Sequence, residues 1–452
     1  MLCATTAAAQ PAKQPAAQPA PAANEGAEPP FNQPEISDPM LAPPEAAPAE
    51  LRSWDDAIAR LRHAPDYLTS VQNVERALAQ RRIALAAVLP TLTAQGSYTH
   101  NFNTLAIPLG DMVLEEPPAT VFQASGTLAW NVLNPRGLYG VGTADLNVEV
   151  ARLSLADRRR VLASAAVSAM LSTLAAARVT EIDRVSLRSA LERLALTQTR
   201  LKFARGTELD VDRAQQDVAS ARAQVISGDE QLRQAREALG QALGSATPIA
   251  TTADLELAGF EHAIAQSCRL DKTVEQRADI VAARARVSLA ERQITDAKLL
   301  FAPYAGVTGQ AAYSTTPALG PKDTYVIAAT VTLPLYDGGV RYGALRDASA
   351  AAEQARQELE SLRIAALVET ARAARAVGVN QAARDVAKQQ RDLAARVDER
   401  TREGYAKGLG TSLDLVTSAQ ALRQADLNLA VLDCQLAQAR AGAVLVNAEC
   451  MF

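Results

Sequence analysis

Apolar positions along this chain follow two different periods, and the alternation between them occurs twice. Helical spacing runs through 66–89, 137–203 and 210–244, and again through 272–300, 339–405 and 412–448. Between these blocks, four short runs alternate between apolar and polar residues with period two, at 91–103, 121–132, 304–314 and 324–335. Each half is therefore predicted to read helix, strand, loop, strand, long helix, turn, helix. The blocks 137–203 and 339–405 lack proline and, at about 1.5 Å per residue, reach on the order of 100 Å. The shorter helices flanking the strands and tips are long enough to stack end to end beside them.

A heptad seam sharpens the repeat. Val211, Val218, Val225, Leu232 and Leu239 stand seven residues apart, and Leu415, Leu422, Leu429 and Leu436 do the same 204 residues later. Small residues follow most of them by three, including Ala214, Ala221, Gly228, Ser418 and Ala425. Large and small residues alternating along a seam specify a tightly spaced coiled coil, and its duplication specifies a tandem repeat. Pro90 and Pro303 close helices, while Asn134-Pro135-Arg136-Gly137 and Asp337-Gly338-Gly339 mark strand-to-helix joints. Phe203-Ala204-Arg205-Gly206 lines up with Tyr405-Ala406-Lys407-Gly408, which makes the first tip two residues shorter than the second. The halves otherwise differ in one connection, 105–120 against 315–323.

In the strands, Leu92, Tyr98, Leu128, Trp130, Val307, Tyr313, Tyr325 and Ile327 oppose Thr93, Gln95, Ser125, Thr127, Thr308, Gln310, Thr324 and Thr330. No charged side chain falls within the four predicted runs, and each is near the ~9–11 residues that a tilted strand needs to cross a bilayer. Two readings stay open: a half-buried sheet covered by its own helices, or a membrane barrel. Four strands cannot face lipid alone, because their open edges would leave backbone groups unpaired, so a barrel requires several copies.

Composition narrows the function classes. The chain has 452 residues and a net charge of −4, which gives no electrostatic case for nucleic-acid binding. Apolar residues make up 48% but aromatics only 4%, a balance suited to thin helix–helix seams. His63, His100 and His262 lie in unrelated contexts, and no metal or cofactor pattern emerges. Gly140-Val141-Gly142 opens a helix without a third glycine and is a weak nucleotide signal. Cys434 and Cys450 sit some 24 Å apart along one predicted helix, too far to bridge; with Cys268, they read as small buried hydrophobes. Val161–Ala177 is too short and polar for a membrane span and reads as an Ala-rich helix. Residues 1–53 read as a signal-like remnant, with lipid attachment at Cys3 left open, followed by a disordered Pro/Ala-rich lead-in. Residues 54–250 form a first repeat, 251–271 an equatorial linker and 272–452 a second repeat.

The tandem helix–strand–strand–helix order, the Tyr336-Asp337-Gly338-Gly339 joint and Tyr405-x-x-Gly408 leading into Leu413-Asp414-Leu415 resemble the TolC-type outer-membrane efflux protein family over about 54–448. The resemblance implies a mainly α protein with a small membrane β-sheet. In the family, a homotrimer shares a 12-stranded transmembrane barrel above a long periplasmic coiled-coil tunnel. It implies an outer-membrane exit channel of a Gram-negative bacterium, not an enzyme and without cofactors. Its expected partners are a periplasmic adaptor, an inner-membrane resistance-nodulation-division or ABC-type pump, and outer-membrane lipid. By the same resemblance, Asp210, Tyr405 and Asp414 would form a periplasmic gate, and Gly206, Thr207, Gly408, Leu409, Gly410 and Thr411 the adaptor-docking tips. An aspartate just after a turn is also an ordinary helix cap. Gly410 replaces a latching arginine and Thr417 a second gate aspartate of some members, so fewer salt bridges are expected at this gate. A soluble coiled-coil scaffold or adaptor is the alternative; it accounts for the heptads but not for four uncharged amphipathic strands.

Overall fold

The computed structural model describes residues 36–100, 102, 105–109, 112–116, 120–252, 257–270, 273–315 and 321–450. The signal-like start and Cys3 lie outside these residues. In chain order the elements are β1 (Ala49–Leu51), α1 (Trp54–Leu61), α2 (Pro65–Ala86), β2 (Thr91–His100), β3 (Leu105–Leu109), β4 (Met112–Glu116), β5 (Thr120–Leu133), α3 (Pro135–Lys202), α4 (Glu208–Ala242), β6 (Ile249–Thr251), α5 (Leu257–Ser267), β7 (Cys268–Leu270), α6 (Ala278–Lys298), β8 (Tyr304–Ser314), β9 (Asp323–Thr332), α7 (Val340–Ala406), α8 (Ser412–Leu445) and β10 (Ala448–Cys450).

The joints that switch strand into helix are built by sequence-local chemistry. Asn134 caps α3 by accepting from the Gly137 N–H at 2.9 Å, with Pro135 at the first helical position. At α7, the Asp337 carboxylate accepts from the N–H groups of Gly339 and Arg341, both at 3.1 Å. Gly338 and Gly339 have φ of 70° and 94°, values that only glycine adopts cheaply, and this is how the chain turns from β9 into the helix. The buried Arg341 then holds Asp337 at 2.7 Å and stacks over Phe301.

Three zones follow one another along the long axis, each four elements wide. The sheet order is β2-β5-β8-β9, antiparallel throughout. Below it the helices lie side by side as α2-α3-α6-α7, and further on as α4-α3-α8-α7, with α4 also reaching α8. Helices α3 and α7 run through both helical zones, and the shorter helices share them.

Cross-strand register settles which residues share a face of the sheet. One row joins Leu92, Leu128, Gly309 and Ile327; the next joins Ala94, Gly126, Ala311 and Tyr325. The opposite face carries the row Gln95, Ser125, Ala312 and Thr324. All four apolar sets thus lie on one side. Among the described residues no helix covers that side: Tyr325 is 80% and Ile327 85% exposed. The reading of a sheet covered by its own helices is therefore set aside. Within the four strands of this sheet the one charged side chain is Asp323, at the outer end of β9.

Midway along the helices sits the largest apolar cluster. Trp54 and Leu61 of α1, Met170 and Leu171 of α3, Leu239 of α4, Ile264 of α5 and Leu445 of α8 are all nearly inaccessible there. The apolar run 161–177 belongs to this cluster, which explains its composition without a membrane. The heptad seam is buried beyond it: Val218, Val225 and Leu232 on α4, Leu415 on α8. Small residues let backbones approach, so that Thr180 Oγ1 donates to the Gly228 carbonyl at 3.4 Å.

Four expectations are added to or corrected. First, the connection 105–120 is no simple loop but carries the β3–β4 hairpin. Second, the linker 251–271 contains α5 and β7, its helix packing into the central cluster. Third, residues 36–53 were expected to be disordered but form a strap along α3 and α4. Asp38 pairs with Arg222 at 2.8 Å, and Arg184 and Arg236 donate to the carbonyls of Ala42 and Glu45. Met40 and Leu41 cover the cluster of Leu187, Val218 and Val225, and β1 pairs in parallel with β6. Fourth, Cys268 and Cys450 are not independent hydrophobes; they form a disulfide across β7 and β10. Cys434 stays a buried free thiol on α8, while Cys450 lies beyond that helix in β10 rather than on it as expected.

Candidate gate at the helix tips

The two tips are built alike. Between α3 and α4 the turn is 203–207, and between α7 and α8 it is 407–411, five residues each. The shorter first tip expected from sequence comes from aligning Gly206 with Gly408, whereas the backbone pairs Ala204 with Gly408. Ala204 has φ 56° and Gly408 φ 78°, and in each turn the next N–H bonds back five residues, Arg205 to Arg200 and Leu409 to Gly404. Gly206 and Gly410 are then the matching second glycines. With equal turns, length no longer separates the tips.

Each helix after a turn starts with a capping box. Thr207 and Asp210 bond reciprocally at the start of α4, as Thr411 and Asp414 do at α8. The cap role weighed for both aspartates is therefore real, but they differ in what else they do. Asp210 also accepts a short hydrogen bond from Ser412 Oγ across the two tips. That bond, with the Thr207 contacts, holds its carboxyl below the usual carboxylate range. Asp414 is fully exposed and bonded only within its own cap; the Thr411 hydroxyl and N–H lower its pKa.

Tyr405 is 5% exposed, beside the Asp210 side of the cluster. The Arg200 guanidinium lies over its ring at 4.3 Å and donates to its carbonyl at 2.8 Å. Burial pushes the Tyr405 phenol up, with Arg200 opposing and Asp210 adding to the shift, so it stays neutral. The structure thus brings Asp210 and Tyr405 together and leaves Asp414 apart. Two residues of this cluster, Arg200 and Ser412, escaped sequence reasoning. Both act across a separation of more than 200 residues, and no local pattern marks them.

Further along the same helices, Arg193 and Asp217 form a buried ion pair at 2.5 Å, and Gln420 of α8 reaches Asp217 at 3.4 Å. The docking candidates Thr207, Gly408, Leu409 and Thr411 are exposed, and Gly206 and Gly410 partly so. Around them Phe203, Leu209, Leu409 and Leu413 expose an apolar rim. Of these four, only Leu409 is among the expected docking residues. No group of side chains able to hold a metal ion occurs among the described residues.

Among solved structures, the chain resembles the outer-membrane protein VceC of Vibrio cholerae, with 18% identity, a TM-score of 0.71, and coverage of 87% of this chain and 95% of that one. It resembles the CmeC outer-membrane channel of Campylobacter jejuni at 16% identity and TM-score 0.74, over 92% and 93% of the two chains. The open-state MtrE channel of Neisseria gonorrhoeae matches at 18% and 0.69, over 93% and 96%. These likenesses establish the fold. No curated protein matches. The sequence profile of outer membrane efflux proteins matches residues 59–245 and 270–442, most of both halves, and the chain belongs to the outer membrane efflux protein family.

Proposed function

We propose that this chain is one stave of a homotrimeric exit channel in the outer membrane of a Gram-negative bacterium, with most of its length in the periplasm. Substrates leave passively through it, delivered by a periplasmic adaptor and an inner-membrane pump of the resistance-nodulation-division or ABC type. The observation that carries this reading is the sheet: one face apolar and open apart from Asp323 at its outer end, the other polar and uncharged, with β2 and β9 as unpaired edges among the described residues. Open edges in hydrocarbon leave backbone groups without partners, at several kcal/mol each, so further copies must close the sheet. Three copies give 12 strands, about the width of a pore.

The helical zones support the same closure. Helix α7 ends the row on one side and α2 with α4 on the other, so the two edges are unlike and join head to tail. Val379, Val386 and Leu393, seven residues apart on α7, are exposed, as are Ile83 on α2 and Ile226 on α4. At the tips, Asp210, Tyr405 and Asp414 serve as the gate, with Arg200 and Ser412 completing the latch between the coil pairs. The apolar rim around 206–207 and 408–411 offers the adaptor its docking surface. Planar-bilayer conductance of the purified chain tests the duct: discrete channels that widen in Asp210→Ala or Tyr405→Phe are expected. A monomer by native mass spectrometry in detergent, with no conductance, would end this reading.

A further inference from the structure

The disulfide joins two places that a random chain would rarely bring together. Cys268 and Cys450 are 182 residues apart, yet they face each other directly in the β7–β10 pair. Cys434 lies only 16 residues before Cys450. In an open chain the shorter loop closes more often, by roughly 40-fold from the three-halves power of loop length, so Cys434–Cys450 would be the dominant pairing. The fold reverses this. Helix α8 holds Cys434 about 16 Å before its end at Leu445, whereas β10, beyond that end, pairs Cys450 directly with Cys268 of β7. Cys268 and Cys450 are both almost inaccessible, within the same cluster as Trp54, Leu171 and Leu445. An oxidant reaches them only before that cluster closes. Trp54 Nε1 donates to Ser267 Oγ at 2.7 Å, so the residue beside Cys268 is itself a closing contact of the cluster.

We propose that Cys268 and Cys450 are a maturation clasp, oxidised by a disulfide-donating protein partner after the segment following α8 has returned to the equator and before the central cluster seals. The step balances as two exchanges. The Cys450 thiolate attacks the partner's disulfide and releases one partner thiolate, giving a mixed disulfide. The Cys268 thiolate then attacks Cys450 Sγ and releases the second. Two electrons pass to the partner, whose disulfide becomes a dithiol by taking up the two thiol protons. Cys434 takes no part; burial pushes its thiol up and keeps it unreactive.

The proposal rests on the export reading only for where the donor acts. The test uses the full chain isolated from membranes. Thiols are blocked with N-ethylmaleimide on unfolding without reductant, and the digest is mapped by mass. The Cys268 and Cys450 peptides are expected joined, and Cys434 alkylated. Alkylation of Cys268 and Cys450, or a joined Cys434–Cys450 pair as the main product, overturns the clasp. In cells lacking the periplasmic thiol oxidase, membrane-inserted protein is expected to fall severalfold and to recover with cystine in the medium. The Cys268→Ser/Cys450→Ser variant should give the same yield with or without that oxidase. Joined Cys268–Cys450 peptides at undiminished yield without it overturn the donor. Recovery of the chain in the cytosolic fraction counts against export instead, and the peptide map still decides the bond.

Discussion

Ala204 occupies a left-handed backbone position for which the matching turn uses Gly408. A methyl group there costs about 1–2 kcal/mol, partly offset by the entropy that glycine would lose. Ala204→Gly should therefore steady the first tip by about 0.5–1 kcal/mol, read as slower tryptic cleavage after Arg205; Gly408→Ala should destabilise the second tip by about 1 kcal/mol. Asp210 carries a pH dependence of definite sign. Its folded pKa is lowered, chiefly by Ser412, so its stabilising contribution is present above the ordinary value of 3.8 and is lost as pH falls through the folded pKa. Conductance recorded on lowering the pH from 5 to 3 should show the entrance loosening, and Asp210→Asn should abolish that response. Ser412→Ala and Asp210→Asn should be non-additive, because they remove the same bond. Asp210, Tyr405 and Asp414 could be marked from sequence by the turn motifs around them. Arg200 and Ser412 could not, since a helix-interior arginine and a first-turn serine look ordinary until a distant element is packed beside them.

Elements were legible where a period ran long enough to be counted. The coils and the four strands fall within a few residues of their predicted limits, because burial enforces spacing of 3.5 on a seam and of 2 on a sheet. What escaped notice was short or rich in proline. The β3–β4 hairpin and α5 span too few residues to show a period. The strap at 36–51 carries no periodic mark in the sequence, because proline-rich sequence cannot build its own helix or ladder. It can still lie extended and offer carbonyls, and Arg184 and Arg236 take those carbonyls. Replacing Met40 and Leu41 by Ser should therefore speed amide exchange around 187–194 and 218–225 while leaving α7 and α8 unchanged. Facing decides the strands in the same way. Ile327→Arg, on the apolar side, should cost about 2–4 kcal/mol if that side meets lipid, and Thr127→Lys on the other face should cost far less; folding titrations into bilayers compare them.

Across the whole molecule, one lateral order persists from sheet to tips, so the chain carries two unlike long edges. An assembly made this way has a single direction around its ring, and a fault on one edge blocks it entirely. Val386→Glu, on the exposed stripe of α7, should leave monomers in native mass spectra, while Glu399→Ala should not. The Cys268–Cys450 bond treats the two halves differently. Everything from 268 to 450 is a closed covalent circle, and everything before it is an open line. A protease nick in the turn at 407–411 leaves one connected molecule whose pieces part only after reduction; a nick at 203–207 severs the backbone outright. Of two tips with nearly the same shape, one can be cut and still hold together.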